Sequence, residues 1–330
     1  MHSIFPFSSC FYTTLISGTI ISLTANRWLT VWLGLELNLI SFLPIILLTH
    51  RSQETESAIK YFLIQALGSG FVLMGGLGTS LLSVSWAYIL ISMGLIIKLG
   101  LAPLHFWLPR VMGGINWLNC LILTTWQKVA PLFLCFSLLT FNIAPILCLG
   151  ALSSIVGGVG GINQTNLRAL LAYSSIGHVG WLVIMSQISA LTLVIYFSVY
   201  ILVSAPLFFI LLNLSGTQVN QVSSIQSWPL NYVVVFALLL LSLGGIPPLT
   251  GFIAKWFAIQ SLVLVSGFTT SLLIAGSLIS LYYYLVLFFS LVTRAFNAGH
   301  FINLKANAPN LWVPYTLVLP LAGLGLVSFL

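Results

Sequence analysis

The sequence carries very little charge. Only 4% of its 330 residues are charged, aspartate is absent, and three acidic residues against ten Lys and Arg leave a net charge of +7. Soluble globular chains are roughly 25% charged, so this composition, with 59% hydrophobic residues, excludes a soluble protein. The cations stand singly at the ends of apolar runs, with no basic patch interleaved with aromatic residues. Nucleic acid is therefore not an expected partner.

Cysteine is also scarce, and no two cysteines share a metal-binding spacing. Cys10, Cys120, Cys135 and Cys148 lie alone in apolar segments without a CxxC pair. This pattern gives no support for iron-sulfur or zinc ligation and predicts packing residues. We therefore expect no metal and no cofactor on this chain. The first apolar run has neither a basic n-region nor an Arg-rich amphipathic stretch before it, so we expect it to be a retained span.

Long apolar runs take the place of charge. A helix that crosses the hydrocarbon core of a bilayer needs about 20 apolar residues. The runs, separated by polar, Pro and Gly clusters, predict an all-α polytopic membrane protein with about eleven transmembrane helices. The predicted spans are residues 3–24, 28–49, 54–82, 86–112, 115–141, 144–162, 166–187, 190–213, 231–260, 268–294 and 311–329.

The loops between these spans sort by charge. Cytoplasm-like sides of membranes collect Lys and Arg, and an odd number of spans assigns each loop to a side. Arg27 alone falls on the side opposite the N-terminus. The side that holds the N-terminus, called the basic side below, receives the other loop cations, Arg51, Arg110, Arg168, Arg294 and Lys305.

Two spans carry the same interruption. A Gly-x-x-Pro-Leu element begins at Gly100 and again at Gly245, five spans later. An odd offset turns the second unit over, as in transporters built from inverted repeats. We therefore predict an antiporter-like inverted repeat of two five-helix units, residues 1–141 and 144–294, followed by a C-terminal helix at 311–330. Their two discontinuous helices break at Pro103 and at Pro247 and Pro248, because proline removes a helix hydrogen bond and frees carbonyls.

These breaks have a plainer alternative, since Pro and Gly are common in membrane helices whose neighbours satisfy the freed backbone. Two matched breaks at an inverted offset nevertheless favour a functional role for the prolines over this plainer explanation. The Gly157 to Gly161 GxxxG pattern and the Gly75-Gly76 pair, by contrast, are typical of close helix packing.

Four charged residues lie at membrane depth. An ionised side chain at the bilayer centre costs at least about 2.5–3.5 kcal/mol, so such residues usually face a polar interior and serve transport. Burial lowers the pKa of a lysine while a nearby carboxylate raises it, so a buried lysine can be tuned to exchange a proton. The alternative is that each lysine snorkels to the interface on its aliphatic stem. The four predicted proton-transfer residues are Glu36, Lys98, Lys128 and Lys255.

Five further polar residues could relay protons or hold water. Each also has an ordinary structural explanation, as an interfacial charge, a packed histidine or a hydroxyl bonded between helices. Glu54 and Glu56, in contrast, are expected at a solvated edge. The five candidates are Lys60, His105, His178, Tyr173 and Ser174.

The motifs around these residues resemble the subunit 2 family of mitochondrial NADH dehydrogenase, antiporter-like membrane subunits of respiratory complex I. The resemblance spans almost the whole chain. It rests on the segments 32–38 (WLGLELN), 98–107 (KLGLAPLHFW), 126–131 (WQKVAP), 163–175 (NQTNLRALLAYSS), 243–252 (LGGIPPLTGF) and 255–256 (KW).

The resemblance implies a role for each buried charge. Glu36 and Lys98 match the carboxylate-lysine pair of the family, Lys128 its central lysine, and Lys255 the lysine of the second broken helix. It implies proton translocation coupled to quinone reduction, with flavin, iron-sulfur clusters and ubiquinone handled by other subunits and no redox chemistry on this chain. It also implies the mitochondrial inner membrane, with the N-terminus in the matrix, the C-terminus in the intermembrane space, and subunits 4 and 4L and lipids as neighbours.

Two other functions stay open on the sequence. The first is a stand-alone cation/proton antiporter of similar fold. The second is a structural spacer of the complex that pumps nothing itself.

Overall fold

The computed structural model of the chain describes residues 5–49, 51–81, 84–138, 143–214, 230–247 and 249–297. Every regular element within these ranges is helical. A 3-10 turn at Leu47–Thr49 follows the second helix. The α-helices are α1 Phe5–Thr24, α2 Trp28–Ile46, α3 Ser52–Leu81, α4 Val84–Leu99, α5 Trp107–Gly114, α6 Trp117–Thr124, α7 Trp126–Ser137, α8 Ile143–Gly161, α9 Leu167–Ser186, α10 Ala190–Asn213, α11 Leu230–Gly244, α12 Thr250–Val263 and α13 Gly267–Asn297.

Each predicted span within the described ranges coincides with one helix or with two consecutive helices. The fourth and ninth spans are discontinuous as predicted, α4 being followed by α5 and α11 by α12. The predicted helix at 311–330, Lys305 and Pro248 lie outside the described residues.

Several of these helices are long and apolar enough to cross a membrane. Shorter apolar helices occur at Trp86–Leu99, Pro145–Gly161 and Tyr232–Gly244. The chain is thus an all-helical membrane protein in its described part, while the number of about eleven spans stays a prediction. The six longer segments are Trp28–Ile46, Ser52–Thr79, Trp117–Ser137, Leu167–Ser186, Ala190–Asn213 and Gly267–Thr293.

The chain forms two compact units, Met1–Gly150 and Ala151–Leu330. Glycines let helices approach closely within each unit. In the first, a Cβ on Gly75 of α3 would lie 2.6 Å from the carbonyl oxygen of Ala87 on α4. In the second, a Cβ on Gly157 of α8 would lie 2.6 Å from the amide nitrogen of Gly177 on α9. The packing role predicted for these glycines is confirmed.

Both helix breaks begin at a glycine in the left-handed conformation. Gly100 has φ +73° and Gly245 has φ +78°. After α4, the amide of Leu101 donates to the oxygen of Ile96, five residues back, at 3.2 Å. After α11, the amide of Ile246 donates to the oxygen of Leu241 at 3.3 Å. Both are Schellman caps, so glycine ends each helix and the following proline prevents its continuation.

The fifth predicted span shows a break that the sequence did not predict. It divides at Thr125 into α6 and α7, just before Lys128. The hydroxyl of Thr125 donates to the oxygen of Leu121 at 2.7 Å, a back-bond that often bends a helix. Pro131, inside α7, supplies no amide to the preceding turn. Lys128 therefore lies close to an irregular backbone, as Lys98 does.

The prediction for Glu54 was wrong. It was expected at a solvated edge, but only 1% of its surface is exposed. Glu54 lies two helical turns before Tyr61, on the face of α3 that packs inside the unit, where α5 also contacts α3. Glu56, two positions later, is exposed as predicted.

Candidate functional site

Lys98 and Lys128 line one small cavity in the first unit. Lys98, in the last turn of α4, is 8% exposed, and Lys128, in the first turn of α7, is 2% exposed. The cavity between them has a volume of about 20 Å³, enough for one water molecule. Both lysines are buried, and the structure brings them to the same space; their depth in the membrane stays a prediction.

Amide and hydroxyl groups line the same cavity. The hydroxyl of Tyr61 donates to Oε1 of Gln127 at 3.3 Å, and Nε2 of Gln127 donates to Oδ1 of Asn38 at 3.0 Å. Gln65 donates from Nε2 to the carbonyl oxygen of Lys98 at 3.5 Å. Sequence reasoning assigned none of these four residues to the site. Asn38 and Gln127 stand inside the motifs quoted for the family, which was the one signal available.

Glu36 lies near this cavity without lining it. It is half-buried on α2, between the exposed side chains of Leu33 and Leu37. Within the described residues, the side chains of Glu36 and Lys98 form no ion pair. The functional pairing of Glu36 with Lys98 therefore stays a prediction.

Lys255 belongs to the second unit, where it lies on α12 and donates hydrogen bonds to the end of α11 across the helix break. It is 8% exposed, and its Nζ donates to the carbonyl oxygens of Gly244 at 2.7 Å and Leu243 at 3.3 Å. These carbonyls end α11, where the helix dipole favours a positive charge. A Cβ on Gly245 would lie 2.8 Å from Cδ of Lys255, so glycine also makes room for the lysine.

A second small cavity, of about 10 Å³, lies beside Lys255. Two predicted relay residues, His178 and Ser174, line it as well, and Nδ1 of His178 lies 3.1 Å from the hydroxyl oxygen of Tyr196. Residues that the sequence analysis did not single out also line this cavity. They include Ser154, Ser277, Ser280, Tyr283 and Tyr284. For the tyrosines among them, the run of three tyrosines in α13 was a signal that could have been used.

A family model described as "NADH:quinone oxidoreductase/Mrp antiporter, TM" matches residues 25–280. NADH-ubiquinone oxidoreductase chain 2 of Lumbricus terrestris is 39% identical over 278 residues, covering 83% of this chain and 83% of that one. The protein of the same name from Metachirus nudicaudatus is 35% identical over 330 residues, covering 96% and 93%. The chain belongs to this chain 2 family.

A solved structure agrees with the family assignment. A chain in the respiratory complex I of Thermus thermophilus superposes with a TM-score of 0.81 at 25% identity, over 96% of this chain and 78% of that one. The family resemblance of the motifs is therefore confirmed. This chain 2 family member is an antiporter-like membrane subunit of respiratory complex I.

Three of the weaker candidates lie away from both cavities. The side chain of Lys60 is 42% exposed and forms an ion pair with Glu56, one turn earlier on α3. His105, in the loop after the first break, is 5% exposed, and its Nδ1 lies 3.2 Å from the oxygen of Pro103. Tyr173 packs its ring against Gly160 of α8. Within the described residues, no group of three or more His, Cys, Asp or Glu side chains is placed to hold a metal ion.

Proposed function

We propose that this chain translocates protons across the mitochondrial inner membrane through its buried lysines, as a subunit of NADH:ubiquinone oxidoreductase. The single observation that carries the proposal is the placement of Lys98 and Lys128 on one cavity, each less than a tenth exposed. An ammonium group buried at membrane depth is costly. Two buried ammonium groups that line one water-sized cavity would destabilise the fold if they served packing alone. The same arrangement suits groups that exchange a proton.

The proposed chemistry is acid–base transfer without bond-making. A lysine in an apolar environment holds its proton weakly, and a carboxylate charge nearby strengthens that hold. In this proposal the Glu36 carboxylate supplies that charge to Lys98. A change in the distance of the Glu36 carboxylate would therefore load or unload Lys98, and Lys128 would receive the proton through the cavity.

Lys255 is the proposed carrier of the second unit. Its ammonium is held by the carbonyls of Gly244 and Leu243, while His178 and Ser174 face the same cavity. The matched glycine caps at Gly100 and Gly245 support an inverted repeat of residues 1–141 and 144–294, with 311–330 as an additional helix.

The rest of the proposal concerns the assembly. The N-terminus and the basic side face the matrix and the C-terminus faces the intermembrane space, in line with the sorting of the loop cations. Subunits 4 and 4L and lipids contact this chain. Quinone reduction, flavin and iron-sulfur chemistry occur on other subunits and drive the proton movement here.

The test replaces Lys128 by methionine in the assembled complex. We expect Lys128→Met to lower the number of protons moved per electron, measured in sealed vesicles with NADH as the electron donor. Lys60→Met is the control, because the Lys60 side chain is 42% exposed and Lys60 lines neither cavity. An unchanged ratio for Lys128→Met in a fully assembled complex would favour the spacer function and overturn the proposal.

A second candidate is a stand-alone cation/proton antiporter, favoured by the Mrp antiporter component of the matching family model. Sodium–proton exchange by the purified chain alone in liposomes would support it. We expect no exchange, because the driving reaction lies on other subunits.

A further inference from the structure

Four polar residues follow one another along a single buried face of α3. They are Glu54, Ser57, Tyr61 and Gln65, and their exposed fractions are 1%, 4%, 2% and 5%. Spacings of three, four and four residues place side chains above one another on one face of a helix. The series, called the α3 ladder below, rises about 16 Å from Glu54 to Gln65 at about 1.5 Å per residue.

The inner end of the α3 ladder reaches the Lys98–Lys128 cavity. Tyr61 and Gln65 both line that cavity. Tyr61 donates to Gln127, and Gln65 donates to the backbone oxygen of Lys98. A proton that reaches the Tyr61 hydroxyl is therefore at the edge of the proposed site.

The outer end of the ladder lies in the first turn of α3. Glu54 is followed by the exposed Thr55 and Glu56, and Arg51 before the helix is exposed. Water therefore reaches the turn that contains the buried carboxylate. Ser57 stands between Glu54 and Tyr61, and its hydroxyl donates to the carbonyl oxygen of Gln53 at 2.8 Å. The same hydroxyl lies against Gly114 of α5, where an added Cβ would collide with it.

We propose that Glu54 is a proton-uptake residue that supplies the Lys98–Lys128 cavity from the basic side through the α3 ladder. The inference rests on the proposed function of the two lysines. None of the segments quoted for the family resemblance includes Glu54.

The transfer balances without any oxidant or reductant. A proton from water at the helix end binds a carboxylate oxygen of Glu54. Each hydroxyl along the ladder then accepts one proton on its oxygen and releases its own, with water carrying the proton where the rise between neighbouring ladder residues is about 4.5–6 Å. The last proton binds a neutral lysine amine, and the Glu54 carboxylate is regenerated.

A purely structural role for Glu54 must be separated from this one. A carboxylate in the first turn of a helix interacts favourably with the helix dipole, and glutamate three residues into a helix can bond back to the cap. Glutamine at the same position keeps the hydrogen-bonding capacity of a capping box. It cannot hold and release a proton, so Glu54→Gln separates capping from proton uptake.

The experiment uses the assembled complex in sealed vesicles and measures proton uptake coupled to NADH oxidation. We expect Glu54→Gln to slow uptake by about tenfold or more, since a positioned acid–base group contributes on the order of 10²-fold to a proton-transfer step. Glu54→Asp should retain part of the rate. Glu56→Gln is the matched control, because Glu56 is exposed and outside the ladder, and its rate should equal that of the unchanged complex.

Two further measurements keep the inference falsifiable if Glu54→Gln assembles poorly. Tyr61→Phe removes one ladder hydroxyl while keeping the ring against Phe42 and Trp107, and should also slow uptake. Lowering the pH on the basic side by one unit should restore much of the lost rate in both variants, which a misfolded site would not show.

The outcomes also distinguish this inference from the proposed function. If Lys128→Met lowers proton transfer while Glu54→Gln and Tyr61→Phe behave like Glu56→Gln, the ladder is wrong and the proposed function stands. If Lys128→Met has no effect, the proposed function is wrong, and the ladder, which rests on it, is wrong as well. A rate loss in Glu54→Gln that is insensitive to pH would assign Glu54 to capping and overturn the inference.

Discussion

Lys255 donates a hydrogen bond from Nζ to the carbonyl oxygen of Gly244 at 2.7 Å. That carbonyl is available because α11 ends there, and α11 ends because the next residue, Gly245, adopts φ +78°. The lysine and the helix break therefore depend on one another. A buried ammonium needs acceptors, and carbonyls at the end of a buried helix need donors.

Gly245→Ala should disturb both the end of α11 and the position of Lys255. An L-residue at this backbone conformation costs about 1–2 kcal/mol, and the added Cβ would lie 2.8 Å from Cδ of Lys255. We expect less assembled complex on native gels and a lower ratio of protons to electrons in what assembles. Gly267→Ala is the matched control, because a Cβ at Gly267 meets nothing within 4 Å. Equal behaviour of the two variants would contradict the proposed constraint.

Two substitutions of Lys255 should separate its charge from its proton exchange. Arginine keeps a positive charge that is effectively never released, whereas methionine removes the charge altogether. Lys255→Arg should still donate hydrogen bonds to the carbonyl oxygens at the end of α11 and therefore preserve assembly. It should nevertheless lose proton transfer. Lys255→Met should impair both.

The measurements are the yield of assembled complex and the ratio of protons moved per electron. Normal proton transfer in an assembled Lys255→Arg complex would show that Lys255 is a structural cation and would remove it from the proposed pathway.

The helices were predictable because their signals are local. Apolar runs mark each predicted span that falls in the described ranges, and Gly100 and Gly245 mark the two breaks through their own backbone conformation. The break at Thr125 was not predicted, because a threonine back-bond and Pro131 have no fixed meaning in a membrane helix until neighbouring helices pack around them.

The surroundings of the lysines were not predictable, because they depend on tertiary packing. Gln127 and Asn38 are hydrogen-bonded although they lie 89 positions apart, and Tyr61 and Gln127 are bonded across 66 positions. Glu54 shows the same limit. Its sequence neighbourhood resembles a solvated helix start, and only the packing around α3 buries it.

The Gln127–Asn38 hydrogen bond gives the last prediction. Gln127→Leu leaves Oδ1 of Asn38 without its amide donor and the hydroxyl of Tyr61 without its acceptor. A buried polar group left unsatisfied costs about 1–3 kcal/mol. We therefore expect a clearly lower midpoint temperature of heat inactivation for the assembled complex.

A double-mutant cycle completes this test. Asn38→Leu alone strands Nε2 of Gln127, but Asn38→Leu combined with Gln127→Leu removes both partners of the bond. Replacing both partners by apolar groups costs less than replacing one, and contacting residues couple by about 0.5–3 kcal/mol. The double variant should therefore lose less stability than the sum of the single losses. Additive losses would mean that the two amides pack independently and that the cavity holds no connected network.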